Sequence, residues 1–413
     1  MRIFRGEAAA ARVRKISQRG FRLAEVEPEV RRIVEYVRQR GDSALRKYGE
    51  KWDGLSGEMP LRVSEREIQT AWKTAGSDLK AALRTAAANI RDFCERQKPK
   101  DWTRNSEGIS AGQMVRPLES TGCYVPGGRH PLVSTLLMTV IPAQVAGVAG
   151  IRVVSPQPAK DLLAAAGMLG VREVYRVGGA QAIAALAYGT ESIPPVAKIV
   201  GPGNLYVTAA KKLVAFDCAI DFLAGPTEAV VVSDSGKPEF IAADLVAQAE
   251  HDAEATAVFI TTREDLARRV ASCTQKLSNE SLVARESLRR NGVILVSASP
   301  AQSFTWANTL APEHMTVEAS GLQYVRNAGS VFVGDYSAQA AGDYASGPNH
   351  VLPTGGTARF RGGLSVLDFV KIVSVQKLSQ SGLRRIAPAI ETLALAEGLQ
   401  AHAQSIQVRV AHA

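Results

Sequence analysis

"EVYRVGGAQAIAALAYGT" (Glu173–Thr190) sets a short β-rich run, a pair of glycines and an Ala-rich helical stretch in immediate succession. Val and Tyr favour extended chain, paired glycines permit a tight turn, and Ala and Leu favour helix. The pattern recurs on both sides. "GIRVVSPQ" (Gly150–Gln157), "AKIVGPG" (Ala197–Gly203), "EAVVVSD" (Glu228–Asp234), "TAVFITT" (Thr256–Thr262), "GVILVSA" (Gly292–Ala298) and "SVFVGD" (Ser330–Asp335) are further β-rich runs. Ala-rich stretches such as "LLMTVIPAQVAGV" (Leu136–Val148) separate them. That alternation marks βαβ units and a largely parallel sheet, hence an α/β protein.

The flanks differ. "EPEVRRIVEYVRQRGDSALRKYGEKWDG" (Glu27–Gly54) and "SDLKAALRTAAANIRDFCERQK" (Ser77–Lys98) repeat apolar residues at helical spacing, and beyond Gly362 the chain again reads as helical, ending in "ETLALAEGLQAHAQSI" (Glu391–Ile406). The texture changes place limits at 1–115 for a helical N-terminal region belonging to the first α/β unit, 116–226 for a cofactor-binding unit, 227–361 for a second α/β unit, and 362–413 for a helical tail.

A chain of 413 residues with 46% hydrophobic and 22% charged residues can bury a large core. Its net charge of +9 is scattered, without the stacking aromatics that accompany nucleic-acid surfaces. Cys94, Cys123, Cys218 and Cys273 are far apart and form no CxxC pair, which points to free thiols in a reducing compartment. No signal peptide or membrane-length apolar run is visible, so the expected location is the cytoplasm, with neither membrane nor nucleic acid as partner.

Ligands of open α/β sheets bind at the carboxyl ends of strands. Three Gly-rich turns follow strands: "CYVPGG" (Cys123–Gly128), "VGGAQA" (Val177–Ala182) and "VGPGN" (Val200–Asn204). None is a GxGxxG or a phosphate-cradling Walker loop, and each alone reads more readily as plain connection than as a cofactor site. In "EFIAADLVAQAEHD" (Glu239–Asp252), Asp244, Gln248 and His251 fall at i, i+4 and i+7, a polar stripe on an apolar helix. Buried polar groups need partners, and spacing alone leaves a metal ion and a hydrogen-bond network open. Glu313 and His314 are adjacent in "LAPEHMTVEA", Asp343 precedes His350 in a Gly- and Pro-rich segment, and His402 lies in the tail. Carboxylates beside imidazoles suit proton transfer near neutral pH.

The motifs "CYVPGG", "VGGAQAIAALAYGT", "KIVGPGN", "DFLAGPTE", "DLVAQAEHD", "APEH", "AGDYASGPNHVLPT" and "EGLQAHAQS" stand in the order and spacing of the histidinol dehydrogenase family, which the chain resembles from about Arg116 to its end. The resemblance implies two incomplete Rossmann-like units with mainly parallel sheets, in the aldehyde-dehydrogenase-like arrangement, plus a C-terminal tail exchanged in a homodimer. It implies zinc ligands at Gln248, His251, Asp343 and His402, with His402 reaching the partner's site. It further implies an acid–base pair at Glu313 and His314, substrate contacts at Thr227, His350 and Glu397, and NAD contacts at Tyr124, Gln181 and Asn204. The zinc ligands and His314 would also border the substrate.

The implied reaction is a four-electron oxidation of L-histidinol to L-histidine through L-histidinal, using two NAD, in histidine biosynthesis. Zinc with N and O ligands would orient the substrate; His314 would take the alcohol proton and Glu313 activate the water that hydrates the aldehyde. Glu397 suits the substrate ammonium. Two features depart from the family pattern: Thr227 stands where Ser is usual, and "GGRHPLVSTLLMT" (Gly127–Thr139) lacks the usual small Ala-rich form. They leave open an alternative, a related zinc- and NAD-dependent dehydrogenase of another small polar alcohol such as a sulfonated diol. Cys123 sits beside Tyr124 but nothing near it in sequence would lower its pKa, so it reads as a packed thiol and not a nucleophile.

Overall fold

The opening passage folds as the sequence leads one to expect: Glu173–Tyr175 is a strand and Gly179–Tyr188 a helix. A computed structural model describes residues 1–20, 22–127 and 132–412. Its strands in chain order begin with β1 (Arg2–Arg5), β2 (Trp102–Ser106), β3 (Ile109–Pro117), β4 (Ser120–Tyr124) and β5 (Gly150–Val154). There follow β6 (Glu173–Tyr175), β7 (Lys198–Val200), β8 (Ala219–Ile220), β9 (Glu228–Val232) and β10 (Thr256–Thr261). The last are β11 (Val293–Val296), β12 (His314–Val317), β13 (Ser330–Val333) and β14 (Val370–Leu378).

Two parallel sheets form, in the orders β6-β5-β4-β7-β8 and β1-β11-β10-β9-β12-β13. In the first, the chain starts at β4, moves outward through β5 and β6, then returns to the other side of β4. In the second it does the same about β9. Each is therefore a doubly wound, Rossmann-like half with its switch point at its earliest central strand.

The second sheet shows why these sequences make strands. All of β9 (EAVVV) and β10 (TAVFIT) is buried, as a parallel sheet covered on both faces requires. Side chains alternate between faces. Val230, Val232, Val258, Ile260, Val293, Leu295, Met315 and Val317 pack in one core with Val13 and Trp306. Val231, Ala257, Phe259 and Ile294 pack in another with Ile241, Leu245 and Leu266.

Four strands lie where the sequence reads as helical. β1 joins β11 in parallel at the edge of the second sheet, a pairing across almost three hundred residues that no local pattern announces. β2 and β3 form a hairpin, and β14 pairs antiparallel with β3 along nine residues. The tail is thus not wholly helical: "VKIVSVQKL" carries the β-branched residues of a strand.

The chain divides into two compact units, residues 1–97 with 118–369, and 98–117 with 370–413. The first contains both parallel sheets. The second contains the β14-β3-β2 sheet and the helices Gln380–Ala396 and Gln400–Ala411. No described helix is long and apolar enough to cross a membrane.

Candidate active site

The residues singled out around Glu313 gather at the amino ends of β9 and β12, the reverse of the carboxyl-end rule applied to the sequence. Thr227 immediately precedes β9, and His314, the first residue of β12, pairs with Ala229. The preceding helix, Pro300–Leu310, ends at Ala311 with φ 47°, left-handed backbone that is uncommon outside glycine. That sharp exit aims the chain into Pro312 and Glu313.

Glu313 Oε2 accepts a hydrogen bond from Thr227 Oγ1 and another from the Glu228 backbone N–H at 3.0 Å. Gln248 Nε2 donates in turn to Thr227 Oγ1, so the single hydroxyl accepts from one side chain and donates to the other. His314 Nε2 donates to Asp343 Oδ1 at 3.3 Å. Its Nδ1 is buried without a hydrogen-bond partner, 3.7 Å from Glu313 Oε2. His350 Nδ1 donates to the backbone oxygen of Asp343 at 2.7 Å, which leaves Nε2 to accept from Thr135 Oγ1 at 3.1 Å.

Burial and charge pull these groups in opposite directions. Burial pushes the Glu313 carboxyl above the usual range, against the pull of His314. Burial alone would lower His314, but the Glu313 and Asp343 carboxylates outweigh it and raise its pKa. Asp343 is raised by burial, yet its bond to His314 brings it below the ordinary value. His350 is lowered by burial. Sequence reasoning passed over Glu228, whose side chain is 5% exposed and meets Arg19 at 3.1 Å. Burial, opposed by Arg19 and reinforced by Glu313, pushes its carboxyl up to about 7.

The polar stripe is shorter than its periodicity suggests. The helix Pro238–Ala249 starts with Pro at its first turn and ends before His251, so His251 leaves the helical register and is exposed. Gln248 is 2% exposed and bound to Thr227 as described. Asp244, half-buried, is pushed up to about 6 by burial and the nearby Asp343.

The Gly-rich turns converge on Tyr124 at the carboxyl ends of β4 and β7, the switch point of the first sheet. Tyr124 Oη accepts from Gly179 N at 3.2 Å. Gly201 (φ 116°) approaches so closely that a Cβ there would lie 2.2 Å from the Tyr124 backbone oxygen. A buried ion pair supports this turn: Lys211 Nζ contacts Asp221 and donates to Gly201 O at 2.9 Å, while Asp221 Oδ2 accepts from Gly201 N at 2.8 Å. Gln181 is buried and donates to Asp53 Oδ2 at 3.1 Å, and Gly178 N reaches the same oxygen at 3.2 Å. Asp53, which no sequence signal marked, thus occupies the start of the Gly179–Tyr188 helix. Asn204 caps its own helix through Val207 N at 3.1 Å and is exposed. Gly128 and residues 129–131 of the atypical stretch lie outside the described residues. Cys123 is buried, and burial pushes its thiol up to about 12, as suits a packed thiol.

In the second unit Glu397 closes the helix Gln380–Ala396 and His402 lies on the helix Gln400–Ala411; both are exposed.

Residues 17–410 match the sequence family described as histidinol dehydrogenase. The chain belongs to the histidinol dehydrogenase family. It is 47% identical over 393 residues to the histidinol dehydrogenase of Methanothermobacter thermautotrophicus, covering 92% of each chain. It is 48% identical over 394 residues to that of Geobacillus kaustophilus, again covering 92% of each. The crystal structure of histidinol dehydrogenase from Elizabethkingia anophelis superposes with a TM-score of 0.94 at 36% identity, covering 100% of this chain and 98% of that one. These relatives favour the histidinol reading over the alternative of another polar alcohol. The family makes this chain an oxidoreductase of histidine biosynthesis, and the resemblance drawn from the motifs holds across the N-terminal helices as well.

The four residues expected to hold zinc offer amide, imidazole and carboxylate donors, a set that a borderline cation accepts. With Gln248 Nε2 committed to Thr227, its Oε1 is the atom left to face a cation. The charge of His251 is felt at Asp343. Among the described residues, however, no three His, Cys, Asp or Glu side chains gather closely enough to hold a metal by themselves.

Proposed function

We propose that this chain oxidises L-histidinol to L-histidine through L-histidinal, with two NAD consumed per substrate, in the cytoplasm and as a homodimer with shared active sites. The observation that carries the chemistry is the buried His314 Nδ1, free of any hydrogen bond and facing Glu313, while Asp343 fixes Nε2.

With Nε2–H held by Asp343, the neutral imidazole has its lone pair on Nδ1, the atom to take the alcohol proton. Glu313, gripped by Thr227 and the Glu228 N–H, would receive a proton from the water that hydrates the aldehyde, before the second two-electron step. His350, neutral and oriented by Asp343 and Thr135, and Thr227 would contact the substrate, with Glu397 pairing its ammonium. When bound, zinc would orient the substrate's nitrogen groups and NAD would accept a hydride in each oxidation. Gln248, His251 and Asp343, with His402 from a second copy, are the residues we assign to hold zinc. Tyr124, Gln181 and Asn204, at the converging turns of 116–226, are assigned to NAD, and 227–361 carries the acid–base residues. Because Asp53 and Tyr124 already take the Gly178 and Gly179 N–H groups, the cofactor phosphates would seat elsewhere than on that helix start.

Support for the homodimer comes from the second unit. β14 is an edge strand that leaves Ile372, Val373, Val375 and Leu378 exposed, with Leu393 and Leu395 on the following helix. An apolar strand edge left open is a pairing surface. The four cysteines are free, in keeping with a reducing compartment.

The test is NADH production from L-histidinol with zinc present, counted per substrate consumed. Two NADH per histidinol, abolished by a chelator and restored by zinc, is the expected result; a zinc-loaded, folded protein that leaves histidinol untouched would overturn the reading.

A further inference from the structure

At the far edge of the second sheet, away from Glu313, four arginines surround a cavity of about 200 Å³. Arg2 opens β1, Arg12 lies on the helix Gly6–Ser17, and Arg289 and Arg290 end the helix Leu282–Asn291, with Gly292 and Phe4 completing the wall. The cavity sits at the amino ends of β1 and β11. β1 is four strands from β12, roughly 19 Å at about 4.8 Å per strand, so this is a place apart from the acid–base residues.

No carboxylate lines the cavity. Arg289 and Arg290 share Glu286, and Arg290 also takes Glu254 at 3.2 Å, outside the cavity. A helix C-terminus also favours positive charge, so these two are accounted for. Arg2 and Arg12 are not: among the described residues neither pairs with a carboxylate. Arg12 packs over the Phe4 ring at 5.9 Å, and its Nε is buried with no hydrogen-bond partner. Arg12 also faces the like charge of Arg19. A buried guanidinium N–H without an acceptor is costly, and the cavity beside it is where an acceptor would sit.

We propose that this cavity binds a phosphate group, either free phosphate or the phosphoryl end of a small metabolite. Guanidinium forks match tetrahedral oxyanions in shape and charge, and two guanidiniums stand in surplus over the local carboxylates, equal to the charge of a phosphate dianion. The volume is below the roughly 300–1,000 Å³ of sites for drug-sized ligands, which fits a phosphoryl group and excludes a dinucleotide. Bound there, the anion would tie the edge strand and its helix to the end of Leu282–Asn291 and offset the repulsion between arginines.

The full-length chain, free of NAD in a zwitterionic buffer near neutral pH, is titrated by calorimetry with inorganic phosphate, with ribose 5-phosphate, and with sodium chloride at matched ionic strength. Saturable one-to-one binding of phosphate, weakened about tenfold or more in Arg12→Gln, is the expected result. Arg2→Gln, an exposed change on an edge strand, supplies a second variant and should weaken binding as well. Equal affinity for the two phosphates assigns the site to free phosphate, and tighter binding of the sugar phosphate assigns it to a metabolite. A response indistinguishable from chloride, or the same affinity in both variants as in the native chain, overturns the proposal.

Discussion

Glu228→Gln tests the electrostatics beneath Glu313 and His314 without relying on turnover. The Glu228 carboxyl is buried against Arg19 and the Gly355 N–H, yet burial and the neighbouring Glu313 raise it from 4.5 to about 7. The folded state therefore binds this proton more tightly than the unfolded chain. Its contribution to stability is fully present below the unfolded value and is lost as pH rises through about 7. Between about pH 5 and pH 8 the wild type should lose about 2–3 kcal/mol on this account, and the Gln variant, with no proton to release, should not. Urea unfolding of both proteins, read by the fluorescence of buried Trp306 on the helix Pro300–Leu310, gives the difference at each pH. The stability of the variant relative to wild type should climb by that amount across the range. A difference that stays constant would mean that Arg19 keeps Glu228 ionised throughout, and the ranking of burial over the ion pair would be wrong.

Four further outcomes are expected. Lys211→Met leaves Asp221 buried and unpaired beneath the Gly201 turn and should cost about 3–5 kcal/mol in chemical denaturation, much of it recovered when Asp221→Leu is added. His314→Asn should lower turnover about 10²–10⁴-fold while NAD affinity, measured by fluorescence titration, is unchanged; equal losses in both would take the proton-accepting role from His314. Cys123→Ser should leave turnover intact, because the thiol is buried and pushed up to about 12, and a dead enzyme would reopen the nucleophile question. His402→Ala should strip zinc, measured by elemental analysis, while fold and dimer persist; normal zinc content would remove the tail as a ligand source.

The sequence was most legible where local pattern and fold coincide. The Val-rich runs of β9 and β10 and the Ala-rich helices between strands are buried on both faces, so each segment's composition states its own role. It was less legible where structure depends on distant pairing. β1 is four residues whose partner lies almost three hundred positions away, as Arg2 opposite Val293 shows, and β14 finds β3 only across the intervening residues 118–369. His251 was assigned to a helical stripe by periodicity, but the helix stops at Ala249, and spacing has no means of registering a stop without glycine or proline. Asp53 and Glu228 were invisible for a different reason: an acid becomes informative only once burial and partners are known.

The placement of Glu313 and His314 has a physical origin in the same sheet. In the first sheet the switch point between β4 and β7 opens at the carboxyl ends, and the Gly-rich turns gather there on Tyr124. At the equivalent place in the second sheet, the carboxyl ends of β9 and β12 are bridged by a carboxylate. Glu318 Oε1 accepts from Ser233 Oγ and Asp234 N at 2.7 Å and from Ser235 N at 2.8 Å, and these bonds hold its carboxyl below the usual range despite burial. A carboxylate so satisfied stays charged and disfavours an anionic ligand at these strand ends. The opposite ends of the same two strands are left to carry Thr227, Glu313 and His314, joined by Gln248 and Asp343 from outside the sheet. The carboxyl-end rule therefore describes where a doubly wound sheet can take a ligand, and in the second half of this chain those strand ends are tied together by Glu318.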